Sequence, residues 1–341
     1  MVQPGIYYPE EETNFFQYHL GNLPYLNKQA AVACFHMPYP FNEQFEQQII
    51  NACDNYNRLV IIVTEMHPST VDFVRRYDNP IISYFFCGKL NQRLSHSTEQ
   101  TFMDWFVSTV YFYKDVKPDL LSELAPYDVK PYYFDALLGR AKPHRESVCN
   151  YIKNKLPNKG ILTYINNTYC DFDTKDSDKW IWESKGLDLT STPKWTVEYM
   201  NYYGHPIRLS QIVPLSIYNQ SAYSVIAETN ADDDYVFFTE KTVKPILSKR
   251  LFLMSGNQYS LAALREMGFQ TFGDIIDESY DSVPNFNDRN NLMLEQLSWL
   301  CEQDQREILD KVKPIAEHNY AHMMNTDWYR QFITELGPYF S

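Results

Sequence analysis

The densest group of residues able to do chemistry lies between Tyr223 and Arg250, in YSVIAETNADDDYVFFTEKTVKPILSKR. An apolar run ends in a carboxylate, Glu228, and after an acidic loop Thr239-Glu240-Lys241 opens a helical pattern with Lys244 one turn on. A helix N-terminus carries unsatisfied N–H groups and about half a positive charge, which suits a diphosphate, and Lys241 and Lys244 add cationic charge there. Glu240 suits a different partner, because a carboxylate accepts two hydrogen bonds and can grip the paired hydroxyls of a ribose or sugar. The same residues also read as a plain helix start, with Thr239 as N-cap, Glu240 as a first-turn acid and the lysines as a solvated face.

Other candidates are spread along the chain. The RAKPHR cluster (Arg140, Lys142, His144, Arg145) is the dense basic patch of an acidic chain. Placed between a strand and a helix, it either faces the same strand ends as Thr239 to Lys241, giving an electropositive pocket, or forms a solubilising surface turn. Glu65 and His67 follow the second predicted strand and His36 ends near the first, positions where a general base could stand; a structural role is the alternative for each. Asp171/Asp173 and the run Asp232 to Asp234 offer carboxylates for a divalent cation, or solvated acidic loops. Trp180, Trp182, Trp195, Tyr199, Tyr202 and Tyr203 offer a stacking surface, or the core of an insertion.

The elements that must position these residues follow from apolar periodicity. AAVACFHM (30–37), LVIIVTEMHP (59–68) and IISYFFCG (81–88) read as strands separated by helical patterns around Phe45–Cys53 and Val71–Val74, and 101–116 reads as a further helix. Strand–helix–strand alternation predicts a parallel sheet with helices on both faces. A boundary falls in the turn-rich APYDVKP, after which YYFDALLGR reads as a strand, the segment opened by Pro143 as a helix with Val148, Tyr151, Ile152 and Leu156 on its buried face, and GILTYIN as another strand. Residues of about 167–210 read as an irregular insertion. AYSVIAET, RLFLMSG and the start of FQTFGD read as strands, YSLAALREMGF as a helix capped by Gly268, and 294–336 as helical. The expected organisation is α/β, with one Rossmann-like domain over 1–128, a second over 129–310 and a helical segment over 311–341 that could brace both. Two such domains facing a cleft place ligands at the carboxyl ends of their strands.

Composition sets the limits. With 341 residues, 44% of them hydrophobic, the chain is large enough for two cores and far too aromatic for a disordered coil. The net charge of −13 disfavours tight sequence-independent binding to a nucleic-acid polymer, although a local basic cleft on an acidic body is compatible with it. Six isolated cysteines, without CxxC or zinc spacing, read as reduced core thiols. MVQPGIYYPEEET has neither a basic n-region nor an apolar h-region, and no window suits a membrane span. A cytoplasmic protein without a membrane partner is expected. GxGxxG, P-loop, HExxH, GxSxG and kinase signatures are all absent from the sequence.

The order of an aromatic strand ending in Glu, a short acidic loop, an aromatic residue, Thr-Glu-Lys and a Pro/Leu helix resembles the α-1,3-fucosyltransferase-type family of GT-B glycosyltransferases. Tyr235, Thr239, Glu240 and Lys241 match that family's Tyr-x-Thr-Glu-Lys core, with Val236 to Phe238 standing in place of the single x. Glu228 matches the Glu of its Phe-Glu-Asn segment, with Thr229 in place of Asn. Arg145 before an apolar helix looks like the family's diphosphate-contacting Arg. The C-terminal pattern, including LREMGFQTF and DESYD, also looks like glycosyltransferase-like proteins of tailed phages, which would place the protein in a host cytoplasm. The resemblance implies a GT-B enzyme, with 1–128 as the acceptor-side domain and 129–310 as the nucleotide-sugar donor domain, that moves a sugar from a GDP-linked donor, fucose or a relative, to an acceptor hydroxyl without an obligatory metal or other cofactor. It also implies a glutamate base from the N-terminal domain, for which Glu65 is the candidate. A glycan or other hydroxyl compound would be the acceptor. The alternatives are a phage-type enzyme that glycosylates hydroxymethylated bases in DNA, and a non-catalytic protein that binds nucleotide sugars.

Overall fold

In the computed structural model the described residues are 104–165 and 209–328, together with 6–7, 32–36, 43–54, 58–63, 68–77, 79–90, 97–99, 187–188, 200–207, 330, 331 and 334. They form a mixed α/β protein of two compact units: Met1–Val107, Asp233–Phe238 and Asp327–Ser341 make the first, Ser108–Asp232 and Thr239–Thr326 the second. No helix among the described residues is long and apolar enough to cross a membrane.

In the first unit β1 (Ile6–Tyr7), β2 (Val32–His36), β3 (Arg58–Val63), β4 (Ile82–Phe86) and β6 (Ser97–Glu99) form a parallel sheet in that order. The RLVIIV run of β3 buries Leu59, Val60, Ile61 and Val63, as a parallel strand covered on both faces requires. Helices α1 (Glu43–Cys53) and α2 (Pro68–Arg76) are the crossovers, and they bury Ile49, Ala52, Phe73 and Val74. Strand order follows chain order, so right-handed crossovers carry α1 and α2 to the same face. A short antiparallel pair, β5 (Lys89–Leu90) with β13 (Tyr235–Val236), brings residues 233–238 into this unit. Trp328 joins it from the far end of the chain, buried edge-on against Phe106 of α3 (Asp104–Tyr111) at 5.3 Å.

The units divide at Val107/Ser108 rather than in the turn-rich 126–131 segment. The intervening chain is tied into the second unit, through Gln211 Nε2 donating to Ser108 and Thr109 and the Val213 N–H donating to Tyr113. Of the 311–341 segment, 311–326 stays in the second unit as the end of a long helix, and Asp327–Ser341 belongs to the first.

The second unit has a parallel sheet of β7 (Tyr132–Arg140), β8 (Gly160–Ile165), β12 (Ser221–Ala227) and β14 (Phe252–Ser255) in the order β14-β12-β7-β8. The chain steps outward from β7 to β8 through α4 (Pro143–Lys155). It then returns through α5 (Leu215–Tyr218) to the other side of β7 and steps from β12 to β14 through α6 (Glu240–Leu247). The direction of winding reverses between β7 and β12, so α4 and α6 lie on opposite faces. Helix α8 (Phe286–Leu300) joins α4 through a hydrogen bond between Tyr151 and Ser298, and α9 (Gln305–Asn325) packs on α6. Glycine is required at Gly160, opposite Phe134 in register, because a Cβ there would overlap the Phe134 ring.

Two expectations change in this unit. FQTFGD is not a strand: Asn319 pairs with both main-chain groups of Gln270, and Glu278 takes the Phe272 N–H and the Thr271 hydroxyl, so side chains occupy the groups a ladder would use. The end of the 167–210 insertion is regular, a small antiparallel sheet of β9 (Leu187–Asp188), β10 (Met200–Tyr202) and β11 (His205–Ile207). Tyr203 and Gly204, with φ of 50° and 82°, form the two-residue turn of its β10–β11 hairpin.

The amino-terminal halves of β7 and β12 are pinned by a buried ion pair. Arg250 Nη2 lies 2.6 Å from Asp135 Oδ2, and the same guanidinium donates to the carbonyls of Tyr218, Ser221 and Tyr223 and to the Ser224 hydroxyl while stacking on Tyr218. Removing one partner strands the other charge in the interior. Asp135→Ala should therefore cost about 3–5 kcal/mol in urea unfolding, and Asp135→Leu combined with Arg250→Met should cost less than that single change. A single variant as stable as wild type would contradict this.

Candidate functional site

In open α/β sheets the crevice at the switch point, outside the carboxyl ends of the strands, is where ligands bind. Here it lies between β7, which ends at Arg140, and β12, which leads into Glu228.

Glu228 is buried and fully engaged. Its Oε2 accepts from Thr229 N at 3.0 Å and Thr239 Oγ1 at 2.8 Å, and its Oε1 from Thr239 N at 3.2 Å and Thr242 Oγ1 at 2.7 Å. Its carbonyl accepts from His144 Nε2 at 2.8 Å and Arg145 Nη2 at 3.1 Å. One residue thus ties the end of β12 to the first turns of both α4 and α6. Pro143 opens α4 at the first helical position, where its missing N–H costs nothing. Thr239 caps α6, its hydroxyl accepting from Lys241 N while donating to Glu228. The threonine is both cap and strut, which the sequence shows only in its first half.

Glu240 behaves differently. It is 0% exposed, its Oε1 accepts from Lys241 Nζ at 2.7 Å, and its buried Oε2 has no hydrogen-bond partner. Burial alone would raise its pKa, but the Lys241 and Lys244 ammonium groups and the Lys241 hydrogen bond outweigh burial and hold the carboxyl below the usual range. Lys241 Nζ also reaches the Thr229 and Thr239 hydroxyls, both at 3.3 Å. Lys142 Nζ donates to Thr229 O at 2.7 Å and Asn230 Oδ1 at 3.1 Å, so lysines from the two helix starts meet at Thr229. Lys244 is pushed down to about 8 by burial, against the attraction of Glu240. Together with Lys241, Asp135, Tyr218 and Ser224 it lines a pocket of about 30 Å³ between sheet and helix.

Of the residues singled out from sequence, Lys142, Arg145, Glu228, Thr239, Glu240 and Lys241 therefore gather at one edge of one sheet, and Lys244 lies one turn further along α6, between helix and sheet. Arg140 ends β7, beside them in the chain. Glu65 and His67 lie outside the described residues, as do Asp171, Asp173, Trp180, Trp182, Trp195 and Tyr199. His36 ends β2. His144 is not a cation: burial, then Arg145, lower its pKa to about 3, so the neutral ring donates Nε2–H to the Glu228 carbonyl. Tyr202 is buried in the insertion. Asp234 pairs with Arg75 at 3.2 Å, and the described residues contain no group of three His, Cys, Asp or Glu arranged for a metal ion. Cys87, Cys149 and Cys301 are buried thiols outside any disulfide, with Cys301 pushed up to about 12 by burial.

Sequence reasoning missed Arg289, whose Nε donates to Gly256 O at 3.2 Å and whose Nη2 donates to Ala231 O at 2.6 Å. It joins the loops after β12 and β14 from α8. Nothing local marks it for this role, since the two carbonyls through which it joins these loops lie 33 and 58 residues away.

No protein-family model matches this sequence, and no curated protein matches it. Among solved structures the chain is similar to that in the crystal structure of TarM, with 11% identity and a TM-score of 0.38 over 92% of this chain and 51% of the other. It spans about half the length of that chain. At this distance the likeness carries no function across.

The depressed His144 pKa has a definite sign. A group held neutral in the fold but titrating at 6.5 when unfolded contributes stability that is complete above pH 6.5 and lost as pH falls toward 3. Between pH 7 and pH 4 wild type should lose about 3 kcal/mol more unfolding free energy than His144→Gln. Parallel losses in urea melts would show that His144 is not buried and neutral.

Proposed function

We propose that the protein is a glycosyltransferase of the two-domain GT-B type, moving a sugar from a nucleoside-diphosphate donor to an acceptor hydroxyl. The observation that supports donor binding most strongly is Glu240: an ionised carboxylate with one unpartnered, fully buried oxygen, at a helix start on the switch point of a parallel sheet. Buried polar atoms are nearly always paired, so an exception at this place is a site waiting for donors, and paired hydroxyls supply them. The Lys241 side chain, 22% exposed, covers the carboxylate and would exchange Glu240 for phosphate oxygens as the hydroxyls arrive. The starts of α4 and α6, with Lys142, Arg145 and Lys244 nearby, hold the diphosphate. By resemblance the donor is a GDP-sugar, fucose or a close relative.

In the reaction the acceptor oxygen attacks the anomeric carbon and forms the new C–O bond. The bond from that carbon to the diphosphate oxygen breaks, its electron pair leaves with the nucleoside diphosphate, and the acceptor proton passes to a base. Glu65, two residues beyond the end of β3, is assigned to that proton. The cations at the donor site stabilise charge developing on the departing diphosphate.

Calorimetric titration with GDP, UDP and ADP tests the reading, and a wild-type chain that binds none of them excludes it. Glu240→Gln should weaken GDP binding roughly ten- to a hundredfold, because each lost charge-assisted hydrogen bond costs about 1.5–3 kcal/mol, with the thermal midpoint nearly unchanged. Unaltered GDP affinity would remove Glu240 from the site. Lys241→Ala should lower kcat by about 10²–10³. Glu65→Ala should abolish transfer while GDP binding survives; residual transfer at the wild-type rate would displace Glu65 as base.

A further inference from the structure

The loop after β14 contains a strained and exposed aromatic residue. Tyr259 has φ 67° and ψ 19°, the left-handed region that side-chain-bearing residues seldom adopt. It is 47% exposed, so core packing does not explain its place. The backbone around it is firmly held. Tyr259 N donates to Asp281 O at 2.9 Å, Gln258 Nε2 to Ser282 O at 2.6 Å, and Ser260 Oγ to Asn257 O at 2.7 Å. The first amides of the following helix, α7 (Ser260–Glu266), are already taken: Leu261 N and Ala262 N donate to the Asp281 carboxylate at 2.8 and 3.0 Å. The loop therefore offers a ring on a rigid mount rather than an anion site.

Its position relates it to the candidate site. Glu228 N donates to Ser255 O at 3.1 Å, and Arg289 clamps Gly256 O and Ala231 O, fixing the loops after β12 and β14 side by side. Along the carboxyl edge of the sheet, in the strand order β7, β12, β14, come the start of α4 with its cations, Glu240 at the start of α6, and then Tyr259. A nucleoside diphosphate presents its parts in the same order: diphosphate, ribose hydroxyls, base.

We infer that Tyr259 is the platform on which the heterocyclic base of the nucleotide stacks. This inference rests on the donor site proposed above and adds the base subsite to it. A planar ring stacks on any base face, so Tyr259 gives affinity for the nucleoside part without choosing among bases, and the left-handed backbone is kept because it projects the ring.

The test is calorimetry on wild type, Tyr259→Ala, Tyr259→Phe and Tyr259→Gly with GDP and with inorganic pyrophosphate, which has no base. The Ala and Gly variants should lose about fivefold to a hundredfold in GDP affinity with pyrophosphate affinity unchanged, and Phe, which keeps the ring face, should bind GDP like wild type. Glycine adopts a φ of 67° without strain, so Tyr259→Gly should melt no lower than wild type, separating a binding defect from a folding one. Wild-type GDP affinity in the Ala and Gly variants would overturn the inference and leave the donor site standing. Equal loss of GDP and pyrophosphate binding would overturn it by making Tyr259 structural. A wild-type chain that binds neither ligand would overturn the donor site and the inference together.

Discussion

The second unit depends on one buried carboxylate. Glu228 accepts four hydrogen bonds with its side chain and two with its carbonyl, and its donors come from the starts of two helices on opposite faces of the sheet. A carboxylate taken out of water is costly unless its oxygens are filled, and here they are filled by Thr229, Thr239 and Thr242. The cost of leaving Glu228 unpaired is what fixes the first turn of α6 against the end of β12. The chain between these anchor points, Asp233–Phe238, pairs in the first unit. The clasp therefore closes a loop whose ends must meet at one residue.

Against this background Glu240 is informative. Asp135, Arg250, Arg289 and Glu228 are charges buried with partners in place. Glu240 is equally buried, sits one residue from the clasp, and keeps an oxygen empty. A structural role would be better served by a residue without that oxygen. The same sheet edge carries Lys241 and Lys244, and the burial that depresses Lys244 to about 8 leaves a lysine whose charge responds to what binds beside it. Rigid support by Glu228 and incomplete satisfaction at Glu240 are the two features on which the proposed donor site rests.

Features governed by neighbours in the chain were legible in the sequence. The N-cap at Thr239, Pro143 at the first turn of α4, Gly268 at φ 93° after α7, and the apolar runs of β3 and β12 each follow from local chemistry, and the structure has them. What was illegible depends on distant partners. Glu228 reads as a site residue until Thr239 and Thr242 are seen to consume it, and the role of Arg250 is set by Asp135, 115 residues away. FQTFGD has a strand's composition, but Glu278 and Asn319 satisfy its backbone instead. Tyr259 gave no signal because its peculiarity is a backbone angle.

The central claim is that a nucleoside diphosphate binds at the carboxyl edge between β7 and β12. Amide hydrogen exchange with and without saturating GDP addresses it without knowledge of the acceptor. The account predicts slowed exchange at the amides of His144 to Ser147 and Glu240 to Val243, the first turns of α4 and α6. Unchanged exchange in both turns in the presence of bound GDP would contradict it.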